Sequence, residues 1–594
     1  MIDRTTRLRW RRRLRSGKRQ VEDISYQAEE QLERHFFKRL AKLPNVFRFT
    51  FTWLALVILL IGSLVVQTRA LGNYYLNDKP VPGGTYTEGI LGTFTNANPL
   101  YATDPVDSSV SHLVFSGLLK LDSENLLTGD LADSWQVDAS GLNYTVHLHK
   151  GLTWQDGKPL TASDVVFTYQ TIQNPDAKSP LYSSWQGITV TAIDVNTVNF
   201  NLPNPLSSFP YSLINGIVPQ HLLKAVPLEQ LRSVSFNSAN PIGAGPFKWS
   251  AIEVSGDTPD HREEQIALLP FDKYVRGAPK LSKFIIKSFH DEKNLLTSFR
   301  HQELNGAAGL SALPDGLKTN SNVYEYDIPV LGETMVFFKT TSPLLSDVRV
   351  RQALTMATNR DAIINKLGYP VIGADEPVLK SQFAYDRTQA ELGFDVAGAN
   401  KLLDEAGWAV GTDGIRSKGG VALSLALYSQ DNPDYVQVSK QLQKQWKAVG
   451  VEAQLNIESA TDLQTKQLDT HAYDVLLYGI EIGVDPDVFA YWDSTQADVR
   501  SQSRLNFSEY KSATADAALE SGRTRLDPTL RAIKYQPFLK AWRADAPAVA
   551  LYQPRFLYIT RGQVFGFTPT GVSSSVDRYA NVNNWMIRED KLPK

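Results

Sequence analysis

Cysteine is absent from the 594-residue chain. Disulfides, thiol nucleophiles, cysteine-bound zinc and iron–sulfur clusters are therefore excluded, and so is a lipid anchor carried on an N-terminal cysteine. Histidine is sparse: nine residues, scattered, of which only His147 and His149 fall on one strand face. Two candidate ligands without a third nearby read as a polar strand face rather than a metal site. Local catalytic signatures are missing too. No GxSxG elbow, Walker A loop, HExxH pair or GxGxxG followed by an acidic residue occurs, and the Asp485/Asp487 pair straddles Pro486, which reads first as a turn. No cofactor or metal is called for, and a non-enzymatic role is expected.

Long apolar runs are scarce as well, with one exception. Phe49 to Thr68 (FTFTWLALVILLIGSLVVQT) is uncharged between Arg48 and Arg69. A helix of that length covers roughly 30 Å, the hydrocarbon thickness of a bilayer. Residues 1–70 hold 15 Lys and Arg against 6 Asp and Glu, while the rest of the chain holds 46 against 57. Cations concentrated before the span place the N-terminus in the cytoplasm and the acidic body outside. The competing reading is a cleaved signal peptide. Against it stand a 48-residue lead and the poor cleavage site Thr68-Arg69-Ala70. The lead itself divides into RTTRLRWRRRLRSGKR (4–19), suited to anionic headgroups, and an amphipathic pattern over 21–43. An acidic body is a poor general binder of nucleic acid, so no nucleic-acid partner is expected.

The body is long enough for several domains. After a polar stretch, 69–84, read as a linker, Leu142, Tyr144, Val146 and Leu148 alternate with polar residues as a strand. Thr161 and Asp164 form a capping box for a helix. Val348 to Leu367 reads as a helix broken near Asn359, and 396–406 as a helix stopped by Gly407. A strand over 423–427, a helix ending at Gly450, a strand over 451–457 and a buried strand over 474–480 follow. Alternation of this kind favours a mixed α/β or α+β body built of several lobes.

Five segments, in order, resemble the extracytoplasmic solute-binding proteins of ABC importers, family 5, the peptide/nickel class. They are LADSWQVDASGLNYTVHLHKGLTWQDGKPLTASDVVFTYQ (131–170), PIGAGPFKW (241–249), SDVRVRQALTMATNRDAII (346–364), DPDVFAYWDS (485–494) and PAVALYQPRFLY (547–558). The resemblance implies a bilobal periplasmic-binding-protein-like fold of class II, or cluster C, with three structural domains after the transmembrane helix. Domain I comprises 85–122, 188–332 and 546–594, domain II 123–187, and domain III 333–545. It also implies a ligand held between lobes and an ABC permease as partner. A monomeric chain with 49–68 in the lipid bilayer is expected.

In peptide-binding members, an Asp three residues before the late DPD segment commonly grips the α-ammonium, and a Trp often stands six before it. Here those positions hold Ile482 and Gly479, which argues against ordinary dipeptide binding. The candidate ligand residues are Glu481 (the adjacent acid), Tyr478, Asp485, Trp492 and Asn98 of the first-lobe Asn-Pro turn. Arg349 and Arg351 read as helix-stabilising charges paired with Asp347 and Asp361. Gly243, Gly245 and Pro246 read as shaping the return to the first domain. Two other functions use the same residues: a tethered ligand sensor or scaffold acting through the basic head, and a surface hydrolase using scattered carboxylates.

Overall fold

The computed structural model describes residues 47–256, 263–501, 504–568 and 571–593. The basic stretch 4–19 and the amphipathic pattern over 21–43 lie outside them. Two units are present. The first, residues up to Lys79 with Glu589–Lys594, contains the helix Phe47–Tyr75 and most of a two-stranded sheet, Leu76–Val81 with Arg588–Pro593. The stretch expected as a linker is thus helix as far as Tyr75 and strand after it. Polar residues on a two-stranded edge show no alternation that sequence could reveal. Within this helix Phe49–Arg69 is long and apolar enough to cross a membrane, and none of it is buried.

The second unit, Pro80–Arg588, is built on three larger sheets. A seven-stranded mixed sheet runs in the order Val323–Pro329, Arg555–Arg561, Gly306–Ala308, Thr85–Leu91, Lys283–Phe289, Glu263–Pro270, Phe247–Ser255. An antiparallel four-stranded sheet is made by Ala132–Val137, Asn143–Leu148, Thr197–Asn201 and Thr189–Asp194. These two sheets and their helices form the first lobe. The second lobe holds a six-stranded mixed sheet: Ile372–Gly373, Ala548–Gln553, Gly332–Phe338, Val475–Glu481, Ser424–Gln430, Glu452–Glu458. Its central strand Gly332–Phe338 is buried throughout. Val336 and Phe338 join one core, while Met335 and Phe337 join a second on the opposite face, as a strand covered on both sides requires.

Pairing moves two of the expected domain limits. Thr189–Asp194 and Thr197–Asn201 complete the four-stranded sheet, so that unit runs past 187. Ala548–Gln553 lies inside the six-stranded sheet, so the second lobe runs past 545. Strands recruited from distant sequence leave no local mark of the sheet they join.

The chain crosses between the lobes at two adjacent places. Val323–Pro329 passes through Val330 and Leu331 into Gly332–Phe338, and Ala548–Gln553 passes through Pro554 into Arg555–Arg561. The Val330 amide donates to the Pro554 carbonyl at 2.8 Å, and the Gln553 side chain donates to the Val330 carbonyl at 3.2 Å. Two short connections side by side form a hinge, the arrangement that permits closure of one lobe on another.

Candidate functional site: an interlobe cleft

The end of Val475–Glu481 and the residues just after it bring three acids to the cleft facing the first lobe: Glu481, Asp485 and Asp487. Two are neutralised by helices of their own lobe. Arg531, on Pro528–Asp545, donates from both terminal nitrogens to Asp485 at 2.6 Å each. Arg523, ending Ala513–Arg523, meets Asp487 at 3.1 Å, with its guanidinium 4.1 Å from the Phe489 ring centroid. Asp487 also accepts from the Ser208 hydroxyl of the first lobe at 3.1 Å. Beside it, the Ser207 amide and hydroxyl both donate to the Arg523 carbonyl at 2.9 Å. The lobes are therefore latched at this edge.

Glu481 differs. Among the described residues its carboxylate makes neither a hydrogen bond nor an ion pair. It opens into a cavity of about 420 Å³ walled by Tyr211 and Ser212 of the first lobe, Ile482 and Gly483 of the second, and Ser573 and Asp577. The side chain meets solvent, yet the cleft walls push its pKa up, and the Asp577 charge adds to the shift. Asp577 is raised by burial as well, although the Ser573 and Ser574 amides donate to it at 2.8 and 2.9 Å. A second cavity of about 490 Å³ continues along the cleft past Trp135, Tyr211, Phe383 and Arg531.

The other expected site residues are placed differently. Trp492 is a correction: it is wholly buried in the second-lobe core, stacked 5.8 Å from Phe337 and edge-on to Trp542 at 5.7 Å. Asn98 is another. It is fully buried, its amide nitrogen donating to Asn237 and its oxygen accepting from the Leu100 amide, each at 3.0 Å. Closing that turn consumes its polar groups. Tyr478 is half-buried, edge-on to Phe507 at 5.5 Å. Asp485 does line the cleft, but with its charge already met. Gly479 has a physical reason to lack a side chain, since an added Cβ would lie 2.7 Å from the Tyr435 hydroxyl.

Arg349 pairs with Asp347 at 2.7 Å, as expected. Arg351 does not pair with Asp361. It donates instead to the Asp545 carbonyl at 2.9 and 2.7 Å and to the Leu345 carbonyl at 2.7 Å. It thereby satisfies a carbonyl at the end of Pro528–Asp545, where helices leave acceptors unpaired. Sequence reading missed Tyr211, Arg531 and Asp577, because nothing local marks a residue whose partner lies in another segment.

Comparison with known proteins agrees with this geometry. Residues 127–502 match the family described as bacterial extracellular solute-binding proteins, family 5 middle. The oligopeptide-binding protein AppA of Bacillus subtilis (strain 168) is 27% identical over 486 residues, covering 80% of this chain and 87% of the relative. Its structure with a nonapeptide superposes with a TM-score of 0.68 at 25% identity, covering 86% of this chain and 100% of that one. NikZ from Campylobacter jejuni, in complex with Ni(L-His), gives a TM-score of 0.72 at 26% identity, covering 84% and 99%. With an interlobe cleft, a two-strand hinge and a family match over most of the body, the chain belongs to the bacterial extracellular solute-binding proteins of family 5.

Proposed function

We propose that this chain captures a peptide, or another small organic solute with a cationic amino group, in the interlobe cleft and delivers it to an ABC permease. Phe49–Arg69 would hold it at the membrane as a single span, with the basic head in the cytoplasm. One observation carries the ligand reading: of three neighbouring acids, two face arginines, while Glu481 faces the cleft unpaired among the described residues. A carboxylate with raised pKa and no protein cation is suited to an incoming ammonium, because the ligand then supplies the missing charge. Relatives named for oligopeptide and dipeptide binding support a peptide. The cation excess before the span supports the orientation, and tethering raises the effective concentration of the body at its permease.

The test is calorimetric titration of the full-length protein in detergent with zwitterionic di- to pentapeptides and their N-acetylated counterparts. Free peptides are expected to bind, and acetylation, which removes the ammonium, to weaken them roughly tenfold or more. Equal affinity for both forms would contradict a cationic subsite at Glu481.

A further inference from the structure

Beside the Glu481 cavity lies another, of about 340 Å³, set into the first lobe. The two share Tyr211, Ser212 and Ile214 as walls. Lys120 reaches into the first-lobe cavity from the strand Leu119–Leu121. Its side chain is more than nine-tenths buried, yet its ammonium makes no hydrogen bond or ion pair among the described residues. Burial pushes its pKa down, while Asp130 acts in the opposite sense. Among the described residues Asp130 is the one carboxylate lining the cavity, and it is engaged: the Tyr274 hydroxyl donates to it at 2.9 Å.

The remaining polar lining consists of groups that can donate to an anion. Ser108, Ser111, Ser184 and Ser212 all line the cavity, and their hydroxyls have no hydrogen-bond partner among the described residues. His112 is held neutral, its pKa lowered to about 3 by burial and then by the Lys120 and Arg578 charges. A cation taken from water without a full counter-charge is costly. Hydroxyls without partners add to that cost unless a ligand satisfies them. Bulky or apolar ligand groups would leave both deficits standing. An anionic group removes them together.

We propose that the first-lobe cavity is an anion subsite in which Lys120 and the surrounding serine hydroxyls hold a carboxylate or phosphate group of the captured solute. The inference rests on the reading of the cleft as the capture site and deepens it. With Glu481 at one end and Lys120 at the other, joined along Tyr211–Ile214, the cleft selects a dipolar solute with its ammonium towards the second lobe and its anion in the first.

The test uses the full-length protein in detergent, titrated at constant ionic strength with sodium acetate, with inorganic phosphate, and with trialanine against trialaninamide. Melting temperature and tryptophan emission are read, since Trp185 lines the cavity. The wild type is expected to respond saturably to acetate or phosphate and to bind trialanine about tenfold or more tightly than its amide. Lys120→Met should abolish the anion response and equalise acid and amide, whereas Lys120→Arg should keep the preference. Should Lys120→Met not fold, Lys120→Gln carries the same comparison. Anion responses that persist unchanged without the ammonium, or a wild type indifferent to every anion tested, would overturn the proposal. A Lys120-dependent response to acetate or phosphate in a protein that binds no peptide would uphold the subsite and sink the peptide reading. Peptide binding that ignores Lys120 would do the reverse.

Discussion

Arg531 grips Asp485 through two parallel hydrogen bonds of 2.6 Å, both side chains nearly buried. The guanidinium also donates to the Gly522 carbonyl at 3.1 Å and lies 5.0 Å from the Phe383 ring centroid. One pair thus ties two helices to the cleft segment and removes Asp485 from competition for a cationic ligand. Removing one partner leaves a buried charge unmet, which generally costs about 3–5 kcal/mol. Arg531→Met is expected to lower the melting temperature by several degrees. Arg531→Met with Asp485→Asn should lose less than the two single changes together. Strict additivity would show that the pair does not act as a unit.

Under the proposed capture, Glu481 should give binding a pH dependence. Its carboxylate pKa is raised above the ordinary value by the cleft walls and by Asp577, so the anionic form is lost at a higher pH than for a free glutamate. Affinity for a cationic solute should fall as pH drops through that raised value. Glu481→Gln should bind roughly tenfold or more weakly at neutral pH and lose most of this dependence. Calorimetric titration across weakly acidic to neutral pH reads both effects.

Much of the secondary structure was legible because its signals are local. The helix break near Asn359 appears as Val348–Ala357 and Arg360–Leu367, with the Asn359 side chain accepting from the Ala362 amide. The stops at Gly407 and Gly450 hold because both adopt positive φ, +84° and +80°. The Thr161/Asp164 capping box begins Ala162–Ile172. The cleft was much less legible. Trp492 and Asn98 carry side chains that suit a ligand or a core equally well, and burial decided for the core. Asp485 gives no hint in sequence of Arg531, 46 residues on, nor does Lys120 announce that its ammonium lacks a partner among the described residues.

Gly243 shows why PIGAGPF is built of small residues. A Cβ at Gly243 would stand 2.0 Å from the Val114 carbonyl oxygen, and one at Gly245 2.7 Å from the Val114 carbonyl carbon. Backbone cannot yield as a flexible side chain can. Gly243→Ala is expected to cost about 3 kcal/mol or more, visible as a lower melting temperature. A variant that melts with the wild type would contradict this close approach.

Glu376 links stability to pH independently of ligand. It is fully buried, its Oε1 lacks a partner among the described residues, and its Oε2 accepts from the Asp386 amide at 3.1 Å. Burial, reinforced by the Asp375 and Asp386 charges, pushes its pKa up to about 8. Between the unfolded value near 4.5 and about 8 the folded state holds a proton that the unfolded state releases, so stability falls as pH rises through that window. Glu376→Gln should flatten the decline, gaining several kcal/mol at pH 8 and little at pH 4.5. Melting temperatures at the two pH values give the answer.

Reversible capture of a small solute is checked by native mass spectrometry of the full-length chain gently purified in detergent. The expected spectrum shows one small solute per chain, bearing both an amino and an acidic group, which the Glu481→Gln chain no longer retains. A bound mass held equally by wild type and variant, or one lacking either charge, would contradict it.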